Sequence, residues 1–132
     1  MERINEKGTI KINHTIFGRM LHEAIKLTDE HTFAASEKGK LLSGIRGNSP
    51  APGEIGDNMV LEEEDGVIYV EFYIIMLFGA SIRKYTKIIL DCMEKKLKEL
   101  FPCQPCRIVL NVVGVKSKQI APRDIQVERK WG

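Results

Sequence analysis

A chain of 132 residues, 43% hydrophobic and 29% charged, has the make-up of one soluble globular domain and excludes disordered and fibrous classes. Twenty basic against eighteen acidic residues give +2, too small a bulk charge to imply nucleic acid or an anionic surface. Three cysteines are too few for a disulfide framework, and the longest mostly apolar run, 72–80, is about half of what a bilayer-spanning helix needs. The opening Met1-Glu2-Arg3-Ile4-Asn5-Glu6-Lys7 lacks the basic-then-apolar order of a secretory signal, so a cytoplasmic product is expected, peripheral to the membrane only through a partner.

In chain order, Ile10 and Ile12 alternate with polar neighbours after Gly8, which predicts a short strand. Asn13 or Thr15 can cap a helix over 15–29, where Ile16, Phe17, Met20, Leu21, Ala24 and Ile25 recur at three- and four-residue intervals. Gly18 weakens that helix unless a neighbour approaches closely. Residues 37–58 hold Gly39, Gly44, Gly47, Pro50, Pro52, Gly53 and Gly56, and read as an irregular insertion, either a functional loop or a mobile one.

Residues 59–61, the acidic turn Glu62-Glu63-Glu64-Asp65-Gly66 and residues 67–78 read as a hairpin. Its second strand has two apolar faces. Ile68, Val70, Phe72, Ile74, Met76 and Phe78 line one; Val67, Tyr69, Tyr73, Ile75 and Leu77 line the other, interrupted by Glu71. The first face should lie under helices; the second wants the C-terminal segment or another subunit.

Ser81 caps a second helix carrying Ile82, Tyr85, Ile89, Cys92, Met93, Leu97 and Leu100 at helical spacing, stopped by Pro102 and Pro105. Residues 108–115 resume as a strand. The tail 116–132, with Ile120, Ile125, Val127 and Trp131, is either an edge strand or an extended partner-binding segment. The expected fold is α+β in a single domain over 1–132: a small sheet covered by two helices, in the order strand, helix, irregular loop, hairpin, helix, strand.

Motifs for chemistry are weak. Cys103-Gln104-Pro105-Cys106 has redox spacing but follows a helix instead of opening one, and Cys92 adds at most one further metal ligand. His22-Glu23 lacks the second histidine of a zinc hydrolase because Lys26 stands there, and His14 and His31 are not tied to it by spacing. Glu62 to Asp65 fit a solvated hairpin tip. Gly44-Ile45-Arg46-Gly47, with Lys38 and Lys40 near it, resembles the phosphate-gripping loop of a K-homology domain, yet Pro50 and Pro52 argue against a helix following. No catalytic residue, cofactor or metal is expected, and nucleic acid is a minor alternative. Arg83, Lys84, Lys87, Lys95, Lys96 and Lys98 give the second helix a basic surface suited to docking.

Taken in order, Gly8-Thr9-Ile10-Lys11-Ile12, Gly66-Val67-Ile68-Tyr69-Val70, Ile74-Ile75-Met76-Leu77-Phe78-Gly79 and Ile108-Val109-Leu110-Asn111-Val112-Val113-Gly114-Val115 resemble the bacterial alkaline-shock-protein family over residues 8–115. Phe33-Ala34-Ala35-Ser36 and the Pro-containing stretch after Gly47 depart from its pattern. The resemblance implies a noncatalytic intracellular protein of cell-envelope stress and homeostasis that self-associates or meets a membrane-anchored partner. A regulatory adaptor of an intracellular enzyme is the alternative. Contact candidates are Tyr69, Tyr73 and Leu77 for apolar association, with Arg83 and Lys84 constraining orientation.

Overall fold

The computed structural model describes residues 13–42 and 50–132. The predicted strand around Ile10 and the Gly44–Gly47 loop lie outside them. Within the described residues the order is α1 (His14–Lys26), β1 (Thr32–Ala35), α2 (Pro52–Asp57), β2 (Val60–Glu64), β3 (Val67–Leu77), α3 (Ile82–Leu100), β4 (Cys106–Lys116) and β5 (Ile120–Trp131). The α+β class expected from the sequence is the one observed.

Asn13 is the cap of α1, its side chain accepting from Ile16 N at 3.2 Å. The helix ends at Lys26, short of residue 29, because Asp29 and Glu30 take left-handed backbone angles (φ 52° and 63°) that turn the chain back into β1. That strand is absent from the sequence reading. The stretch 37–58 is not wholly irregular either: Pro52 sits at the start of α2, where its missing N–H costs nothing, so it initiates a helix instead of preventing one. The described residues therefore hold three helices. α1 and α2 cross where both carry glycine. A Cβ on Gly18 would fall 1.8 Å from Pro52 O, and one on Gly56 would fall 1.8 Å from His14 O.

β2 and β3 form the predicted hairpin, but Glu62, Glu63 and Glu64 belong to the strand, and the turn is Asp65-Gly66 alone, both at positive φ (54° and 81°). Along its other half β3 pairs antiparallel with β1, Thr32 opposite Met76 and Ala35 opposite Tyr73. Its second edge pairs parallel with β4, the crossover being α3. Ser81 caps α3, accepting from Lys84 N at 3.1 Å; before Pro102 the backbone of Phe101 leaves helical geometry. β5 then pairs antiparallel with β4, so the C-terminal tail is an edge strand in the plane of the sheet.

The core lies between one sheet face and the helices: Ile68, Val70, Phe72, Ile74 and Met76 of β3 meet Phe17 and Leu21 of α1, Ile55 of α2, and Ile89, Met93 and Leu97 of α3. Phe78, expected on this face, lies beyond the end of β3 and is 70% exposed. A second, smaller cluster forms on the opposite face, where Tyr73 and Ile75 pack with Ala35, Leu41 and Val113. Ile75 is thereby sealed within the single chain. β1 extends this half of the face in the plane of the sheet, and the return to Leu41 packs on it, with Ile120 seated over Gly114 beside Ile75.

Candidate functional site

The other half of that face, toward the start of β3, carries a polar array. Strand alternation puts Tyr69, Glu71 and Tyr73 on it from β3, and the register sets Arg107, Val109 and Asn111 of β4 beside them, followed by Lys130, Glu128 and Gln126 of β5. A row of hydrogen bonds crosses the three strands. Tyr69 Oη donates to Glu71 Oε1 at 2.8 Å, Asn111 Nδ2 donates to Glu71 Oε2 at 2.8 Å, and Gln126 Nε2 donates to Asn111 Oδ1 at 3.0 Å.

Both carboxylate oxygens of Glu71 are thus engaged, and Asn111 is used at both ends of its amide. Arg107 donates through Nε (3.0 Å) and Nη2 (2.6 Å) to Glu128 Oε2, and its guanidinium lies 5.6 Å from the centre of the Tyr69 ring. Beneath this layer Val109 is buried, only 1% exposed. Burial first, then the hydrogen bond to Glu71, pushes the Tyr69 phenol up to about 12; burial also raises Tyr73, seconded by the charges of Glu71 and Glu37. Both phenols therefore keep their protons at neutral pH and act as hydrogen-bonding groups, not as phenolate bases. The array is a fixed platform that offers an aromatic ring, a guanidinium and satisfied amides, the residue types on which protein interfaces concentrate their energy.

The five candidate contact residues do not form one surface. Tyr69 and Tyr73 share this face, although Tyr73 is 9% exposed and mostly spent on the second cluster. Leu77 lies about 26 Å from Tyr69 along the strand, by its rise per residue. Arg83 and Lys84 stand in the first turn of α3, at the Leu77 end, where Lys84 Nζ lies over Tyr85 and Tyr85 stacks on His31 at 4.6 Å. Charge from these two residues is therefore remote from Tyr69; the cation that accompanies it is Arg107. Arg107, Asn111, Gln126 and Glu128 are members that sequence reasoning missed. Two signals were present: Glu71 and Asn111 each interrupt an apolar strand, and half-buried polar groups in such places need partners.

Other candidates for chemistry are dispersed. Cys103 is exposed, Cys92 half-buried on α3, and Cys106 buried at the start of β4 with its thiol pushed up to about 11 by desolvation. His14 and His31 are each engaged with backbone through Nδ1, His14 across the helix crossing with Gly56 O at 3.0 Å and His31 locally with Thr28 O at 2.7 Å. Among the described residues, no three His, Cys, Asp or Glu side chains converge as metal ligands would. Among the described residues, the element before the Gly44–Gly47 segment is β1 with its bridge to Leu41, not the helix that a K-homology loop joins, while a helix after it, which the prolines argue against, is present as α2.

No family model, curated protein or solved structure matches the chain.

Proposed function

We propose that the chain is a noncatalytic assembly or scaffold protein supporting cell-envelope homeostasis, as its resemblance to alkaline-shock proteins implies, and that it docks protein partners on the Tyr69–Arg107 face while also associating with itself. One observation carries this reading: the sheet is covered by helices on one side, and on the other it presents a prearranged, hydrogen-bonded platform from β3 to β5 on which no described helix packs. Docking on such a surface avoids the entropy loss of ordering side chains on contact. Tyr and Arg at its centre supply contact area with few freely rotating bonds. No described helix is long and apolar enough to cross a membrane, so proximity to the envelope comes, in this reading, through an anchored partner.

Genetic complementation tests it. Cells lacking the gene should be sensitised to envelope stress such as alkaline shock, with full rescue by the wild-type chain and little rescue by a folded Tyr69→Ala/Arg107→Ala variant. Undiminished resistance in the deletion, or full rescue by the variant, would overturn the proposal.

A further inference from the structure

Strand β5 closes one margin of the sheet and pairs, among the described residues, with β4 alone. The opposite margin is blunted: β2 is five residues long and contains three consecutive glutamates, while β1 is bridged by the chain returning at Leu41. β5 is twelve residues long. Its irregularity is confined to one end, where Val112 pairs with Ile125 and Gly114 with Pro122, so that Val113 faces both Arg123 and Asp124. From there to Trp131 the strand has neither proline nor glycine.

The stretch from Asp124, at the bulge, to Lys130 is complementary to itself. Ile125 and Val127 face the helices with Arg129, which reaches Asp91 and Glu94 of α3; Gln126 and Glu128 face the polar array. A two-fold axis normal to the sheet keeps each face on its own side, so residues brought opposite one another must share parity. Centred on Val127, antiparallel pairing sets Asp124 against Lys130, Ile125 against Arg129 and Gln126 against Glu128. Centred on Gln126 it would oppose Asp124 to Glu128, and centred on Glu128 it would oppose that carboxylate to its own copy; like charges there are destabilising. Asp124 and Lys130 are exposed, and neither has an ion-pair partner among the described residues.

The helical layer leaves room. α3 packs on β4, so two copies would hold their α3 helices about three strand spacings apart, ~14 Å, beyond the 8–10 Å of packed helices. The groove on this flank of α3 is lined by Asp91, Glu94, Lys95, Lys98 and Glu99, a mixture of both charges.

We infer that β5 is a self-pairing edge, through which two copies of this chain join antiparallel about Val127 into one continuous sheet. The inference rests on the self-association included in the proposed function and assigns it a surface and a register. Sedimentation velocity on the full chain, with Asp124→Lys, Lys130→Asp and the double swap, tests it, thermal melts confirming that each variant is folded. Wild type should form a concentration-dependent dimer. Each single reversal turns two symmetric attractive pairs into like-charge pairs and should raise the dissociation constant about tenfold; the swap should restore it to within about threefold. Dimerisation should also slow hydrogen exchange of those amides in 124–130 that point away from β4. A wild-type monomer at every concentration overturns both this inference and self-association. A wild-type dimer indifferent to the reversals, or a swap no tighter than the singles, overturns the β5 edge alone. Exchange of these outward amides already slow at the lowest concentration assigns the edge to another segment of the same chain and equally overturns the inference.

Discussion

Replacing Gly18 by alanine probes the crossing of α1 and α2. The new methyl carbon would stand 1.8 Å from Pro52 O and 2.6 Å from Gly56 N, whereas ordinary contact begins near 3.4 Å, so α2 must recede by about 1.6 Å. Both atoms it meets are backbone, and no side-chain rotation relieves them. α2 is only six residues long and is anchored by Ile55, 1% exposed in the core, so moving it partly withdraws that side chain. Overpacking costs about 1–3 kcal/mol and partial loss of the isoleucine about 1 kcal/mol more, against about 1 kcal/mol returned by the better helix propensity of alanine. The net expectation is a loss of about 2 kcal/mol. With a urea m-value of about 1.5 kcal/mol/M, the unfolding midpoint followed by far-UV circular dichroism should fall by about 1.3 M. Gly53→Ala is the matched control in the facing helix, α2: its nearest neighbour is Thr15 Oγ1 at 3.7 Å, ordinary contact, and its midpoint should hold or rise slightly. If Gly18→Ala behaves like Gly53→Ala, the helices are not in contact through their glycines and the reasoning is refuted.

Tyr69 has a folded-state pKa raised to about 12 against an ordinary value of 10, so its contribution to stability is fully present below pH 10 and is lost as pH rises toward 12. Tyr69→Phe should flatten that alkaline loss in urea titrations at successive pH values, and an unchanged slope would show that the phenol is neither buried nor held by Glu71. Asn111→Ala removes the donor to Glu71 and the acceptor for Gln126, and should cost about 1–3 kcal/mol in equilibrium unfolding; a change within ~0.5 kcal/mol would mean the row carries no energy. Alkylation at pH 8 followed by peptide mass spectrometry should find Cys103 modified well before Cys106, which is buried with its thiol pushed up to about 11; equal rates would contradict the placement of the start of β4. Lys87 and Arg129 hold the Asp91 carboxyl below its usual range, so Arg129→Met should move its carbon-13 titration midpoint upward, and an unmoved midpoint would deny the contact between β5 and α3.

Much of the architecture is legible where a local rule and the tertiary arrangement agree. Asn13 and Ser81 are capping residues placed just ahead of apolar stripes, Asp65-Gly66 is the turn pair that a two-residue hairpin requires, and Ile68 to Met76 alternate as a strand under helices must. What escaped the sequence reading depends on neighbours. Thr32–Ala35 is too short to show periodicity and is a strand because β3 offers it an edge. Pro52 reads as a breaker until its position at a helix start is known. β5 reads as one of two alternatives, an edge strand or an extended segment, because it alternates only half-buried with exposed residues and a margin strand borrows its order from β4. The candidate site was half visible: Tyr69 stood out through its apolar strand, but its partners lie on β4 and β5, and only the register of those strands brings Arg107, Asn111 and Gln126 to it. Arg83 and Lys84, close in sequence to Leu77, are carried into the helical layer by the turn after β3.

Docking on the Tyr69–Arg107 face can be read directly by placing a photo-crosslinking amino acid at position 69 in the living cell. A second chain carrying the probe at Lys87, exposed on α3, provides the comparison. Discrete protein adducts at 69, weakened by Arg107→Ala and missing from the probe at 87, are the predicted result. Adducts of equal strength at both positions, or none at 69 while the protein supports growth under envelope stress, would contradict it.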